Sequence, residues 1–164
     1  MYESIIIPLD GSLYAESALR HVSCHEADAR KLTLLRVINT VEELIGVAQP
    51  DPLDTMEKTE EMLAREAHDI QYSKAVNYLA NLKGLAAYAG FPVGTLVVEG
   101  QPVAQVLAVA DQVHADLIVI TSHGLSASNS PAKTGVFGKV ADGILRTADT
   151  PVLVIKPFQP RQQE

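Results

Sequence analysis

The sequence has few residues that could form cross-links or large aromatic contacts. Cys24 is its only cysteine and tryptophan is absent, so the chain can form no internal disulfide and nothing indicates an oxidising compartment. Aromatic residues make up 5% of the chain, against 47% for all hydrophobic residues. The core must therefore be built from Ile, Leu, Val and Ala, which is typical of buried parallel sheets.

A positive charge balance and long apolar runs are missing as well. The formal net charge is −7, which repels phosphate backbones and anionic lipid surfaces. The longest apolar runs, Ile5–Leu9 and Leu117–Ile120, have the length of strands rather than the ~18 residues of a membrane helix. Met1 leads directly into a short strand-like run without the basic flank of a signal peptide. We therefore expect a cytoplasmic protein with no nucleic-acid or membrane partner.

Apolar segments of two kinds alternate along the chain. Short β-branched runs predict five strands, at Ser4–Leu9, Lys31–Ile38, Gly94–Glu99, Asp116–Thr121 and Pro151–Lys156. Apolar residues at helical spacing predict four helices, at Leu13–Ala27, Thr55–Ala89, Val103–His114 and Gly138–Thr147. Because parallel neighbours need crossover connections, this order predicts an α/β fold: a doubly wound, five-stranded parallel sheet in a flavodoxin-like three-layer sandwich.

The alternation predicts one domain, residues 1–158, followed by a polar tail at 159–164. The pattern breaks only at Asn39–Asp54, which carries a glycine and two prolines among scattered apolar residues. We expect a long connection without regular structure there, and the weakest order in the chain. A lid, a partner surface and plain disorder are all open interpretations of this segment.

Two of the predicted strand ends should meet at one crevice. In doubly wound sheets, ligands bind beyond the carboxyl ends of the strands, where the strand order reverses. A flavodoxin-like order places Asp10, after the first strand, beside the loop that begins at Ser122. A carboxylate at this place suits a ribose, as in dinucleotide-binding folds. The competing interpretation is that Asp10 only caps a turn.

Five segments resemble the universal stress protein family, in this order: IIIPLDGS, LTLLRVIN, EGQP, ADLIVITSHG and ADTPVLVIKP. Each is common by itself, but together they follow the family's spacing over nearly the whole chain. The resemblance implies a fold like that of the adenine nucleotide alpha hydrolases. It also implies a stress-related sensor or switch, not an enzyme, that binds ATP or a related adenine nucleotide. Whether Mg²⁺ accompanies the nucleotide stays open.

The family's nucleotide-binding motif is only partly present. Its nucleotide-binding members carry Gly-x2-Gly-x9-Gly-Ser/Thr from the end of the fourth strand into the last helix. With Gly124 and Gly138 aligned, Thr121 replaces the first glycine, Lys139 replaces the hydroxyl residue, and the spacer 125–137 is four residues longer. A side chain at Thr121 keeps a ligand from the backbone. An ammonium at the start of a helix can still hold phosphate as a point charge.

The resemblance implies a nucleotide site at three strand ends and the start of the last helix. Asp10 would bond the ribose or an adenine-side group, and the backbone of Val37 would meet the adenine. The predicted set is Pro8, Leu9, Asp10, Val37, Thr121, Ser122, His123, Gly124, Gly138, Lys139 and Val140. The resemblance further implies a homodimer through the edge strand Val152–Lys156, whose apolar edge otherwise invites aggregation.

Two other phosphate-handling folds do not fit the sequence. A phosphate loop needs a glycine five residues before its Gly-Lys pair and Ser or Thr after it, and Lys133 and Val140 occupy those places. A receiver domain shares the predicted architecture, but it needs an aspartate at the end of its third strand. Here that strand ends in Glu99.

Metal binding and nucleophilic catalysis have little support. His21 and His25 lie four residues apart beside Cys24, but no second cluster completes a metal site. The sequence has no Gly-x-Ser-x-Gly elbow, and Ser122 next to His123 does not by itself make a catalytic pair.

Two hypotheses of different classes follow. The first is an adenine-nucleotide-binding switch. The second is an interaction protein of the same fold that has lost nucleotide binding, as Thr121, Lys139 and the longer spacer suggest. Slow ATP hydrolysis is a third hypothesis, for which the sequence offers no general base.

Overall fold

Five parallel strands form the centre of the molecule. The computed structural model describes residues 2–25, 31–53, 57–87, 90, 92–123 and 137–156. The strands are β1 (Ser4–Pro8), β2 (Lys31–Ile38), β3 (Val93–Glu99), β4 (Leu117–Thr121) and β5 (Val152–Ile155). They form one sheet in the order β3-β2-β1-β4-β5, and every neighbouring pair is parallel. The predicted five-stranded parallel sheet is confirmed.

Helices cover both faces of this sheet. The described part of the chain contains α1 (Glu16–His25), α2 (Val41–Leu44), α3 (Glu60–Ala87), α4 (Pro102–Gln112) and α5 (Lys139–Thr147). Successive residues of β1 point to opposite faces: Ile5 and Ile7 pack with α1 and α3, and Ile6 packs with α4 and α5. The three-layer sandwich is thus confirmed. None of the described helices combines the length and apolar character needed to cross a bilayer.

The strand order reverses between β1 and β4. The chain builds outward from β1 through β2 to β3, then returns to the other side of β1 to add β4 and β5. A flavodoxin order would put the third strand beside the first, whereas the order 3-2-1-4-5 is that of Rossmann-type sheets. The switch point therefore lies between β1 and β4, which end next to Asp10 and Ser122.

Helix α2 lies in the segment that was predicted to have no regular structure. The Thr40 hydroxyl accepts the Glu43 N–H at 3.3 Å, and the Glu43 carboxylate accepts the Thr40 N–H at 3.0 Å. This reciprocal capping box satisfies two N–H groups at the start of the helix. The prediction was wrong here because the Thr40-x-x-Glu43 spacing forms a capping box and starts a helix ahead of the glycine and prolines of the segment.

The long helix α3 begins at Glu60 rather than at the predicted Thr55. The hydroxyl of Thr59 accepts the Met62 N–H at 3.3 Å, and the Thr59 carbonyl accepts the Leu63 N–H at 3.0 Å. Thr59 is therefore the residue that caps the helix. The other described boundaries lie within three residues of the predicted ones.

Helices α4 and α5 approach closely at a glycine. A Cβ added to Gly143 would lie 2.7 Å from Cγ2 of Val103, which is shorter than real carbon contacts. Val103 is β-branched and cannot easily rotate away inside a helix. Gly143 thus allows α5 to lie close against the start of α4.

The substitution Gly143→Ala should lower the free energy of unfolding by about 1–2 kcal/mol, because overpacking outweighs the better helix propensity of alanine. In a Val103→Ala background the same substitution should be neutral or stabilising, since the colliding methyl groups are gone. Urea denaturation of the four proteins of this double-mutant cycle measures the coupling. Additive effects would show that the two residues do not touch.

Candidate functional site

A crevice opens where β1 and β4 separate. β1 pairs with β2 over its whole length, but with β4 only at Ile5 and Ile6. The N–H of Leu9 donates to the carbonyl of Leu35 in β2 at 2.8 Å. Because successive residues of a strand in a parallel sheet bond to opposite neighbours, the nitrogen of Pro8 faces β4. Proline has no N–H to donate. The ladder between β1 and β4 therefore ends at this point.

A cavity of about 160 Å³ lies in this crevice. Its walls come from the carboxyl ends of β1, β2 and β4 and from the first turns of α4 and α5. Ten of the residues predicted for the nucleotide site line it together: Pro8, Leu9, Asp10, Val37, Thr121, Ser122, His123, Gly138, Lys139 and Val140. The eleventh, Gly124, lies outside the described residues, as do the rest of the spacer to Val136 and the tail 159–164.

Asp10 has a structural partner in its own loop. Its Oδ1 accepts hydrogen bonds from the backbone N–H of Ser12 at 2.9 Å and from the Ser12 hydroxyl at 2.6 Å. The Ser12 Oγ in turn accepts the Ala15 N–H at 3.1 Å. Gly11, between them, has a φ of +87°, which favours glycine. Asp10 therefore caps this turn, and it also lines the cavity.

Arg36 ties the end of β2 to the end of β1. Its Nη1 donates to the carbonyl of Leu9 at 3.1 Å. Burial lowers the pKa of the Arg36 guanidinium from its usual value, and the nearby Asp10 carboxylate opposes that shift. The side chain remains a cation, because arginine is not deprotonated in proteins. Arg36 thus places a positive charge beside the crevice.

The end of β4 is held by hydrogen bonds within its own loop. Thr121 Oγ1 donates to the carbonyl of His123 at 2.9 Å, and the Ser122 N–H donates to the Ile155 carbonyl of β5 at 2.9 Å. Ser122 Oγ lies 3.0 Å from His123 Nδ1. Ser122 is nearly buried, with 4% of its surface exposed. The Thr121 side chain therefore bonds to its own loop although it lines the cavity.

The first turn of α5 faces the same cavity. The Gly138 N–H donates to the Ser122 carbonyl at 2.9 Å, which fixes the start of the helix to the end of β4. Gly138 is the N-cap residue, and no side chain caps the helix. The first N–H groups of a helix lack partners within it and carry partial positive charge. Lys139, exposed at the first helical position, adds a full charge.

The prediction included Lys139 but missed the apolar wall of the cavity and its second cation, Arg36. Leu35, Pro102 and Val106 line it together with Arg36. Val106 belongs to the predicted apolar stripe of α4, and Pro102 to the predicted turn before it. The sequence does mark Arg36, because it is the one charged residue in the interior of a mostly apolar strand. Their convergence at one point depends on the packing of α4 against the sheet.

The structure brings no metal-binding cluster together within the described residues, where no three His, Cys, Asp or Glu side chains lie at ligand spacing. The side chains of Cys24 and His25, which the sequence places beside His21, are outside the described set. No carboxylate contacts His123 among the described residues, so the Ser122–His123 contact lacks the third member that orients a catalytic base.

Comparison with known proteins gives relatives along nearly the entire chain. A profile of the family described as "Universal stress protein family" matches residues 1–156. Universal stress protein MJ0577 of Methanocaldococcus jannaschii is 30% identical over 165 residues, which cover 95% of this chain and 96% of MJ0577. The solved structure of MJ0577 has a TM-score of 0.78 at 28% identity and covers 98% of this chain and 99% of that chain.

Two more distant structures share the fold. A universal stress protein solved in complex with cAMP is 22% identical, with a TM-score of 0.59, and covers 94% of this chain and 96% of that chain. A family member from Arabidopsis thaliana solved with AMP bound is 16% identical, with a TM-score of 0.66, and covers 98% of this chain and 97% of that chain. The family itself is assigned by the profile match over residues 1–156 and by the 30% identity to MJ0577: the chain belongs to the universal stress protein family.

Proposed function

We propose that this protein binds an adenine nucleotide, such as ATP or AMP, in the crevice between β1 and β4 and acts as a nucleotide-dependent sensor or switch. The observation that carries the proposal is the shared wall of one cavity: the carboxyl ends of β1, β2 and β4 meet the uncapped start of α5 there. Doubly wound sheets bind nucleotides at this place.

The cavity divides into parts that suit the parts of a nucleotide. Leu35, Val37 and Val106 offer apolar surface for a base, beside the backbone at the end of β2. Asp10 lines the same cavity, where its carboxylate can accept hydrogen bonds from ribose hydroxyls. The backbone N–H groups of α5 and the ammonium of Lys139 suit a phosphate.

Relatives with bound ligand support the choice of an adenine nucleotide. One structure of the same fold holds cAMP and another holds AMP. Binding of Mg²⁺ together with the nucleotide is a separate question. Since no described acidic cluster could hold a metal alone, a magnesium ion would come with the phosphates of the nucleotide and keep several of its waters.

We propose a binding protein rather than an enzyme. Ser122 and His123 touch, but Ser122 is nearly buried and no described carboxylate orients the imidazole. A nucleophile needs both access to its substrate and an oriented base. We also propose a cytoplasmic location. The charge of −7 disfavours nucleic-acid and anionic membrane partners.

We further propose that β5 forms a homodimer interface. β5 is an edge strand, bonded only to β4 within the described sheet, and its four apolar residues are each half-buried. The Ile118 and Ser122 N–H groups donate to the carbonyls of Pro151 and Ile155. By alternation, the N–H groups of Val152 and Val154 point away from β4. An unpaired edge of this kind favours pairing with a second copy.

The first prediction concerns binding itself. ATP, ADP or AMP at a hundred times its dissociation constant should stabilise the fold by about 2.7 kcal/mol and raise the melting temperature by about 5–10 °C. Thermal melts with and without Mg²⁺ measure the shift and show whether the ion contributes. No shift at millimolar concentrations of any of the three would favour an interaction protein that has lost nucleotide binding.

The second prediction separates the two roles of Asp10. Asp10→Asn keeps an oxygen that can cap Ser12 but removes the charge, so nucleotide affinity should fall about five- to tenfold while stability changes little. Asp10→Ala also removes the cap and should lose more affinity together with about 1 kcal/mol of stability. Isothermal titration and urea denaturation give the two quantities. Asp111→Asn, on the exposed surface of α4, is the matched control, and affinities equal to wild type in both Asp10 variants would remove Asp10 from the site.

The third prediction tests the dimer. Val154→Pro removes only an N–H that faces away from β4 and is tolerated on an edge strand, so the fold should persist and the molecule should become a monomer. Val154→Ala keeps the N–H and should remain a dimer. Light scattering after gel filtration gives the mass of each variant at equal concentration. A wild-type monomer, or a Val154→Pro dimer, would contradict pairing through β5.

A further inference from the structure

A second cavity lies on the other face of the sheet, below the carboxyl end of β2. It encloses about 390 Å³ between the loop after β1, the end of β2 and helix α3. This volume is within the ~300–1,000 Å³ of small-molecule sites and exceeds that of the crevice between β1 and β4. Arg36 and Val37 line both cavities, so the two lie back to back across the end of β2.

The walls of this second cavity are rich in donors. Arg36, Lys74, Asn39 and Gln71 line it, with the backbone of Gly11 at its rim. No acidic residue is among the described residues of the wall, although the chain carries seven more acids than bases. A cavity with two cations and no carboxylate in so acidic a protein is suited to an anion.

Neither cation forms an ion pair with an acid in the described part of the chain, although the Asp10 carboxylate, which lines the other cavity, acts on Arg36. Arg36 makes one hydrogen bond, to the Leu9 carbonyl, which leaves most of its five donors for other partners. Its guanidinium lies within ordinary contact of Gly11, where a Cβ would be 3.6 Å from Nη1 and Nη2. Lys74 forms no ion pair with a described acid. Burial raises the pKa of the neighbouring Tyr78, and the charges of Glu16 and Asp10 add to that shift. Neither of these two acids lines the cavity.

Helix α3 holds its part of the wall in a fixed arrangement. Gln71, Lys74, Ala75 and Tyr78 follow one another at spacings of three, one and three residues, so they share one face of the helix. The ring of Tyr78 packs against the buried core and forms the floor. The side-chain Oε1 of Gln71 accepts the backbone N–H of Asn39 at 3.4 Å and links the helix to the end of β2.

We propose that this second cavity binds a small organic anion, a phosphate or a carboxylate, held between the Arg36 guanidinium and the Lys74 ammonium. Charge-assisted hydrogen bonds to such oxyanions are the strongest that these side chains make. The amides of Asn39 and Gln71 donate to the rest of the ligand. This cavity is separate from the proposed nucleotide crevice, although Arg36 and Val37 line both, and the proposal does not require a nucleotide to be bound.

The experiment follows backbone amides during titrations of the ¹⁵N-labelled full chain with inorganic phosphate and, separately, with succinate. Binding should shift the amide signals of Gly11, Asn39 and Lys74 in a saturable way. Signals of Gly138 and Lys139 report separately on the crevice, including any phosphate that binds there. A third titration with ATP tests the nucleotide proposal on those same signals, so failure of either proposal is recognised by itself.

Lys74→Glu and Lys83→Glu form the matched pair of variants. Both lie on the exposed surface of α3 and change the net charge equally, but nine residues of helix place them on opposite sides. Lys74→Glu should weaken the response of Gly11 and Asn39 by about tenfold or more, whereas Lys83→Glu should leave it unchanged.

One outcome of these titrations supports the proposal and two would contradict it. Saturable shifts that only Lys74→Glu weakens support the proposal, and the probe that produces them identifies a phosphate or a carboxylate as the group recognised. Absence of saturable shifts with both probes at tens of millimolar would overturn it. Equal loss in the two variants would overturn it as well, because the response would then reflect net charge and not a site.

Discussion

The unequal pairing of β1 with its two neighbours is the constraint on which the rest of the structure depends. β1 is bonded to β2 along its whole length but to β4 only through Ile5 and Ile6. The change comes at Pro8, whose nitrogen faces β4 and has no hydrogen to give. The sheet is continuous enough to bury Ile5, Ile6 and Ile7 completely, and it opens where a ligand can enter. Pro8 thus ends the pairing of β1 with β4 at the boundary between the buried core and the crevice.

The other wall of the crevice depends on how closely two helices can pack. Gly143 lets α5 lie against Val103 at the start of α4, and the Gly138 N–H bonds to the end of β4. These contacts aim the first turn of α5, with Lys139, at the cavity. The helix needs no side-chain cap there if an anion supplies the missing acceptors. The packing of α5 against α4 therefore determines that the positively charged start of α5 faces the cavity.

Arg36 is shared by the two cavities. Its side chain emerges from β2 on the face covered by α1 and α3, and it lines both the crevice between β1 and β4 and the cavity beside Lys74. A partly buried guanidinium costs desolvation energy, which shows as its lowered pKa. Such a cost in a strand at the middle of a core fits the two anion sites that we propose on either side of Arg36. Two anionic groups on either side of Arg36 would share that charge.

The sequence by itself determined the elements and most of the crevice. Runs such as Ile5–Ile7 and Leu117–Ile120 are apolar throughout because parallel strands are buried on both faces, so the positions of these strands could be predicted directly. The carboxyl ends of parallel strands must lie at one edge of a sheet, which brought Asp10 and Ser122 together in the prediction. Val37 was added by the family resemblance. Their roles towards a nucleotide stay a prediction.

Only the tertiary structure decided the strand order, the apolar wall at Leu35 and Val106, and the second cavity. The capping box at Thr40 was legible in the sequence as a short local spacing. Arg36 and Lys74, by contrast, are 38 residues apart in the sequence and become neighbours because α3 packs across the end of β2. Local patterns specify which segments are strands or helices. The meeting of distant side chains depends on packing between those segments, which no local pattern records.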